Sequence, residues 1–290
     1  MTLLRIGTRG SLLALAQTKI IADTISDSWP DVKIDIVKIT TTGDKNMSPF
    51  SSDPSGIKGM FTREIEQALL NHDIDFAVHS LKDLPANMNP ELPIAAYSHR
   101  GDPRDALVLN GNADSDAIGS SSLRRRLQLE RLYPHTNILP IRGNITTRLR
   151  RLDSGEFGGL VLAVSGLERL GMSHKITRIF SPEEIMPAPG QGILACQGRL
   201  DGEYDYLACV NDPDSKDCAL AERAFSRALN AACNVPIGAY AVVHGETLTL
   251  KGLYVREATH EFFRGEISGK RSDAEQLGQK LAQMIVRNEE

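Results

Sequence analysis

Short apolar runs that lean towards β-structure, each closed by a polar turn and followed by a helix, recur along the first two thirds of this 290-residue chain. Leu3–Gly7 reads as a buried strand, Thr8-Arg9-Gly10-Ser11 as the turn, and roughly Leu12–Ser26 as a helix with Ser11 as its N-cap. Lys33–Thr40 predicts a second strand, and Gly59–His72 a helix with Phe61, Ile65 and Leu69 on one face. Further strands are predicted at Ile74–Val78 and Pro93–Tyr97. The stretch H-R-G-D-P-R-D at 99–105 interrupts the rhythm, which then restarts. Strands at Ala106–Leu109, Ile118-Gly119, Asn137–Ile141 and Gly159–Val164 alternate with helices at Leu123–Tyr133, Ile145–Leu152 and Ser165–Leu170. Phe180–Gln191, with its three prolines, is a second interruption, and Ile193–Gln197 reads as a strand returning to the first sheet. Alternation of this kind points to α/β sheets with parallel strands.

The last segment changes character. Ser215–Asn230 reads as an alanine-rich helix, Ala239–His244, Thr247–Val255 and Phe262–Ser268 as an antiparallel meander, and Asp273–Asn288 as a closing helix. The expected fold is therefore α/β. It has two periplasmic-binding-protein-like lobes joined by a double crossover, plus a small α+β carboxyl-terminal domain with a three-stranded antiparallel sheet. Domain 1 is expected at 1–98 and 193–210, domain 2 at 103–187 and domain 3 at 213–290. Thr41–Lys58, rich in Ser, Pro, Gly and Asp, reads as a long loop of the kind that often closes over or binds a ligand.

Composition narrows the function. Net charge is −4 and aromatic residues are 5%, so no basic stripe with interleaved aromatics marks a nucleic-acid surface. No apolar run is long enough to span a bilayer, and the amino terminus has no leader pattern, which makes the cytoplasm the expected location. The four cysteines (196, 209, 218 and 233) match no zinc spacing, and the seven histidines show no ligand pattern, so no metal is expected. A serine hydrolase is excluded at A-V-S-G-L, which is not the nucleophile elbow.

What remains is concentrated at predicted strand ends, where open α/β sheets bind ligands. The stretch I-D-F-A-V-H-S-L-K-D-L-P (74–85) gathers His79, Ser80, Lys82 and Asp83 where a strand runs out; the plain alternative is a solvated turn. Ser120-Ser121-Ser122 followed by Arg124 and Arg125, Arg142-Gly143-Asn144 with Arg148, and Arg9 with Ser11 form three strand-to-helix junctions suited to anions. Guanidinium groups favour carboxylates, and no phosphate-binding loop is present. Two readings fit: an enzyme acting on a carboxylate-bearing substrate, or a non-catalytic two-lobed carboxylate-binding or effector-sensing module.

A set of motifs separates them. I-G-T-R-G-S-L-L-A-L-A-Q, G-I-K-G-M-F-T-R-E-I-E, A-V-H-S-L-K-D-L-P, R-G-D-P-R-D-A, S-S-S-L-R-R-R, I-R-G-N-I-T-T-R-L, V-S-G-L-E-R-L-G, P-A-P-G-Q-G and A-A-C-N-V-P-I-G occur in that order and cover most of residues 5–240. In these the chain resembles the porphobilinogen deaminase (hydroxymethylbilane synthase) family. The resemblance implies a transferase of tetrapyrrole and heme biosynthesis. Such an enzyme condenses four porphobilinogen molecules head to tail with loss of ammonia, on a covalently bound dipyrromethane, and releases hydroxymethylbilane with water.

It further implies Cys233 as the thioether anchor and Asp83 as the catalytic carboxylate. Lys58, Lys82, Ser121, Ser122, Arg124 and Arg125 join Asp83 as cofactor contacts. Arg9, Ser11, Arg142, Arg148, Arg169 and Gln191 become contacts to porphobilinogen and the growing linear oligopyrrole. A monomer acting without nucleic acid or membrane is expected. Two positions depart from the family pattern: Pro54 stands where a lysine is usual, with Lys45 or Lys58 as substitutes, and Ala231-Ala232 precede the cysteine in place of Gly-Gly.

Overall fold

The computed structural model describes residues 2–42, 62–111, 115–229 and 236–287. These divide into two compact units, Met1–Arg100 with Ile193–Lys216, and Gly101–Gly192 with Asp217–Glu290. The chain thus changes unit three times, at 100/101, 192/193 and 216/217.

The first unit is built on a five-stranded sheet. Its strands are β1 (Thr2–Arg9), β2 (Val32–Ile39), β3 (Phe76–Ser80), β4 (Ile94–Tyr97) and β10 (Leu194–Gln197), in the order β2-β1-β3-β10-β4. β1 is parallel to both β2 and β3, whereas β10 runs antiparallel to β3 and β4. Helix α1 (Leu12–Ser28) follows β1, and α2 (Arg63–Leu70) precedes β3. Alternate residues of β3 serve two cores. Phe76 and Val78 pack with Ile6, Ile21 and Ile25, while Ala77 packs with Ile65 and Leu69. Burial on both faces explains why β3 reads as a nearly unbroken apolar run.

The second unit repeats the arrangement. Its sheet strands are β5 (Asp105–Leu109), β6 (Ile118–Gly119), β7 (Ile138–Leu139), β8 (Gly159–Ala163) and β9 (Arg178–Ile179), in the order β7-β6-β8-β5-β9. β6 is parallel to β7 and β8, and β5 is antiparallel to β8 and β9. Helices α3 (Leu123–Leu132), α4 (Ile145–Asp153) and α5 (Val164–Arg169) follow β6, β7 and β8 in turn. Both sheets therefore carry three parallel strands with an antiparallel strand in fourth place, contributed by the chain just after a crossing.

Helix α6 (Pro213–Ala228) leads to the meander β11 (Ile237–His244), β12 (Thr247–Val255) and β13 (Phe262–Lys270), and α7 (Ala274–Arg287) closes the chain. Leu248 and Leu250 of β12 meet Phe225 of α6 and Leu281 and Ile285 of α7 in a separate core. This three-stranded sheet also packs on the second α/β lobe: Leu253 and Val255 share a cluster with Leu127 and Met186, and Ala239 N donates to Pro187 O at 3.0 Å. That packing places residues 217–290 in one compact unit with 101–192. Among the described residues no helix is long and apolar enough to cross a membrane.

Candidate active site

β1 and β3 are parallel neighbours in the first unit, with Ile6 opposite Phe76 and Gly7 opposite Ala77, so both strands leave the sheet at the same edge. There β1 delivers Arg9 and then Ser11, whose hydroxyl caps α1 by accepting from Ala14 N at 3.2 Å. β3 delivers Ser80 and then a 3-10 turn, Leu81–Asp83. The turn is held from inside. Leu81 and Leu84 are buried, Leu81 N donates to Ile193 O at 3.0 Å, and Leu84 N closes the turn on Leu81 O at 3.1 Å. Anchoring the two leucines leaves Lys82 half-buried and Asp83 exposed.

Arg9, Ser11, Gln17, Thr62, His79, Ser80 and Asp83 line one cavity of about 70 Å3. Gln17, buried on α1, reaches across it: its Nε2 donates to Ser80 Oγ at 2.8 Å, and that hydroxyl donates to Gln17 Oε1 at 3.1 Å. His79 is buried, and among the described residues its Nε2 has no hydrogen-bond partner. Burial pushes its imidazole down to about 4, the Arg9 charge adds to this, and the Gln197 side chain opposes it, so His79 is neutral at pH 7. Among the described residues the Asp83 carboxylate has no ion-pair or hydrogen-bond partner, which leaves it available to a ligand.

In the second unit Ser122 caps α3 by accepting from Arg125 N at 3.4 Å, and Asn144 caps α4 by accepting from Thr147 N at 2.8 Å. Ser121 is exposed beside the first of these caps. Arg124 and Arg125 are both buried and converge on the fully buried Asp105. Arg124 Nη2 donates to Oδ2 at 2.9 Å and Arg125 Nη2 to Oδ1 at 2.7 Å. Gln191 completes the cluster, donating from Nε2 to Asp105 Oδ1 at 2.8 Å and to Pro103 O at 2.6 Å. Arg124 also donates to Met186 O, and Arg125 to Val161 O at 3.3 Å. Burial lowers the Arg124 guanidinium from its ordinary value, and Asp105 opposes the shift. Both arginines thus pair with one carboxylate, and among the described residues Arg125 Nε is buried without a hydrogen-bond partner.

Arg148 and Arg169 are held through backbone. Arg148 Nε donates to Gly143 O at 2.7 Å, and Arg169 Nη2 donates to Gly192 O at 2.5 Å. Burial pulls Arg169 down to about 10, which leaves it a cation at neutral pH. Arg142 is exposed at the turn before α4. Lys58 and Cys233, together with Lys45, Pro54 and Ala231-Ala232, lie outside the described residues, as does most of Thr41–Lys58. The structure therefore gathers Arg9, Ser11 and Asp83 at one cavity, and Arg124, Arg125 and Gln191 around Asp105, with Ser122 capping the helix that carries the two arginines. Gln17 and Asp105 are the additions that the sequence does not announce, whereas His79 stands in the strand-end cluster the sequence singles out.

Residues 4–204 match the model of a family described as porphobilinogen deaminase, dipyromethane cofactor binding domain, and residues 216–287 match its carboxyl-terminal domain. The chain belongs to the porphobilinogen deaminase family. It is 45% identical over 283 residues to the porphobilinogen deaminase of Ruminiclostridium josui, covering 97% of both chains. It is 40% identical to that of Nostoc sp. over 293 residues, covering 97% of this chain and 90% of the relative. Among solved structures, the BenM effector-binding domain with its effector benzoate aligns at a TM-score of 0.43 and 14% identity, over 72% of this chain and 88% of that one.

The porphobilinogen deaminase cofactor-binding domain takes in both the Asp83 cavity and the Asp105 cluster. The residues present suit a dipyrromethane. In the second unit two buried arginines share one carboxylate, and among the described residues Arg125 Nε is a buried donor without a partner, which suits a group with acidic side arms.

Proposed function

We propose that this chain is a porphobilinogen deaminase that joins four porphobilinogen molecules head to tail and releases hydroxymethylbilane. The observation that carries the proposal is the Asp83 carboxylate, unpartnered among the described residues, on a cavity shared with Arg9 and Ser11. Loss of ammonia from porphobilinogen leaves a cation delocalised over the pyrrole. A carboxylate at this point stabilises that charge as it develops and accepts the pyrrole N–H. It can also take up the ring proton released after carbon–carbon bond formation. Neutral His79 beside it adds no competing positive charge.

Bound dipyrromethane, attached as a thioether to Cys233, supplies the nucleophilic pyrrole carbon from which the product grows. Arg124, Arg125, Lys82, Ser121, Ser122, Asp83 and Lys58 are assigned to hold it, and Arg9, Ser11, Arg142, Arg148, Arg169 and Gln191 to bind the acetate and propionate arms of substrate and product. Each added unit brings more carboxylates, which is the physical reason for so many cations at strand ends. In this reading 213–290 acts as a third domain that carries the anchor, and the protein works as a soluble cytoplasmic monomer.

The test is the rate of ammonia release from porphobilinogen by Asp83→Asn, which keeps size and hydrogen bonding but removes the charge. A fall of about 100-fold or more, with folding and attached cofactor intact, is expected. A near-normal rate removes Asp83 from the chemistry. Absence of turnover in the unaltered, cofactor-bearing protein, with retained binding of small carboxylates, would favour the non-catalytic binding module instead.

A further inference from the structure

Glu222 lies within α6 and is fully buried. A carboxylate in such a place is unfavourable unless its oxygens find donors. Both do: Oε2 accepts from Gly190 N at 2.6 Å, and Oε1 accepts from Ala241 N at 2.7 Å. These are short, charge-assisted bonds to backbone, and they tie three separate stretches of the second unit together.

The stretches are informative. α6 ends at Ala228 and β11 begins at Ile237, so Glu222 and Ala241 lie on the two chain segments that flank Cys233. Gly190 is followed by Gln191, whose amide donates to Asp105, the carboxylate shared by Arg124 and Arg125. Gly190 (φ 73°) and Gly192 (φ 94°) both adopt left-handed backbone, a turn that side-chain-bearing residues resist. Pro187 O, three residues earlier, accepts from Ala239 N at 3.0 Å, a second tie to the same strand.

We infer that Glu222 is a positioning residue that clasps both stems of the Cys233 stretch to the Gly190-Gln191 turn and thereby to the arginine pair. The inference rests on the reading of Cys233 as the cofactor anchor. An apolar side chain would fill the same volume without the cost of burying charge. The carboxylate instead fixes α6 and β11, the two described segments on either side of Cys233 in the chain, against the turn whose Gln191 bonds to Asp105.

The test uses full-length protein purified with its cofactor. Glu222→Gln keeps the volume but turns an NH2 donor towards one of the two amides. Amide hydrogen exchange at Gly190 and Ala241 should quicken roughly fivefold or more. The fraction of chains carrying the dipyrromethane mass should fall as well. Asp217→Asn removes the 2.6 Å pair with Arg271 from the same helix, and should lower thermal stability without moving either readout. Unaltered exchange at both amides, or faster exchange with full cofactor occupancy, overturns the inference. If Glu222→Gln does not accumulate folded, Glu222→Asp, too short to span both amides, is read the same way. Cys233→Ser separates this from the underlying reading, since a mass excess that survives it contradicts the anchor and leaves amide exchange to judge the clasp.

Discussion

Arg125 donates to Asp105 at 2.7 Å in a place where the two side chains are 7% and 0% exposed, and Arg124 shares the same carboxylate. Removing that carboxylate leaves two guanidinium groups without their counter-charge. Asp105→Asn is expected to destabilise the protein by about 3–5 kcal/mol in urea unfolding. Asp23→Asn, at the exposed pair with Lys19, should cost under about 1 kcal/mol. Similar losses in the two variants would mean that the buried cluster is solvated in solution.

His79 makes stability depend on pH. Its folded value, about 4, lies below the ordinary value of 6.5, so between the two the unfolded chain binds more protons than the folded one. The contribution, roughly 3 kcal/mol, is fully present above pH 6.5 and is lost as pH falls towards 4. Unfolding free energies at pH 7.5 and 5 should differ more in the unaltered protein than in His79→Gln. Equal differences would show that His79 is hydrated.

Much of this architecture is legible in the sequence, for local reasons. Ser11 before an apolar-periodic segment announces a helix start, and its hydroxyl does cap α1. The all-buried β8, G-L-V-L-A, is visible as an apolar run. β9 is not, because Arg178 and Ile179 are exposed and become a strand only through pairing with β5. The three consecutive arginines at 124–126 do not reveal which of them point inward, since the deciding partner, Asp105, lies 19 residues before Arg124. Gln17 is equally hidden: a polar residue in a helix reads as surface until Ser80 is placed opposite it.

Close packing at Gly278 ties α7 to α6, the helix that carries Glu222. A Cβ there would stand 2.3 Å from Ala221 O and 2.7 Å from Phe225 N, both backbone atoms. Gly278→Ala should therefore destabilise by about 1–3 kcal/mol despite alanine's better helix propensity. A thermal midpoint at or above that of the unaltered protein would contradict this packing.

Arg142 is exposed at its turn, so its loss should spare the fold. Arg142→Leu is expected to raise KM for porphobilinogen by roughly tenfold or more, as loss of a charge-assisted carboxylate contact would, with little change in Tm. Unchanged kinetics would place Arg142 outside the substrate's reach.

The proposed function requires that the product grow on a dipyrromethane held by Cys233. Intact mass of the purified protein tests it most directly. The mass should exceed that of the sequence by one dipyrromethane, and the excess should be absent in Cys233→Ser. A chain of unmodified mass that still converts porphobilinogen to hydroxymethylbilane would contradict it.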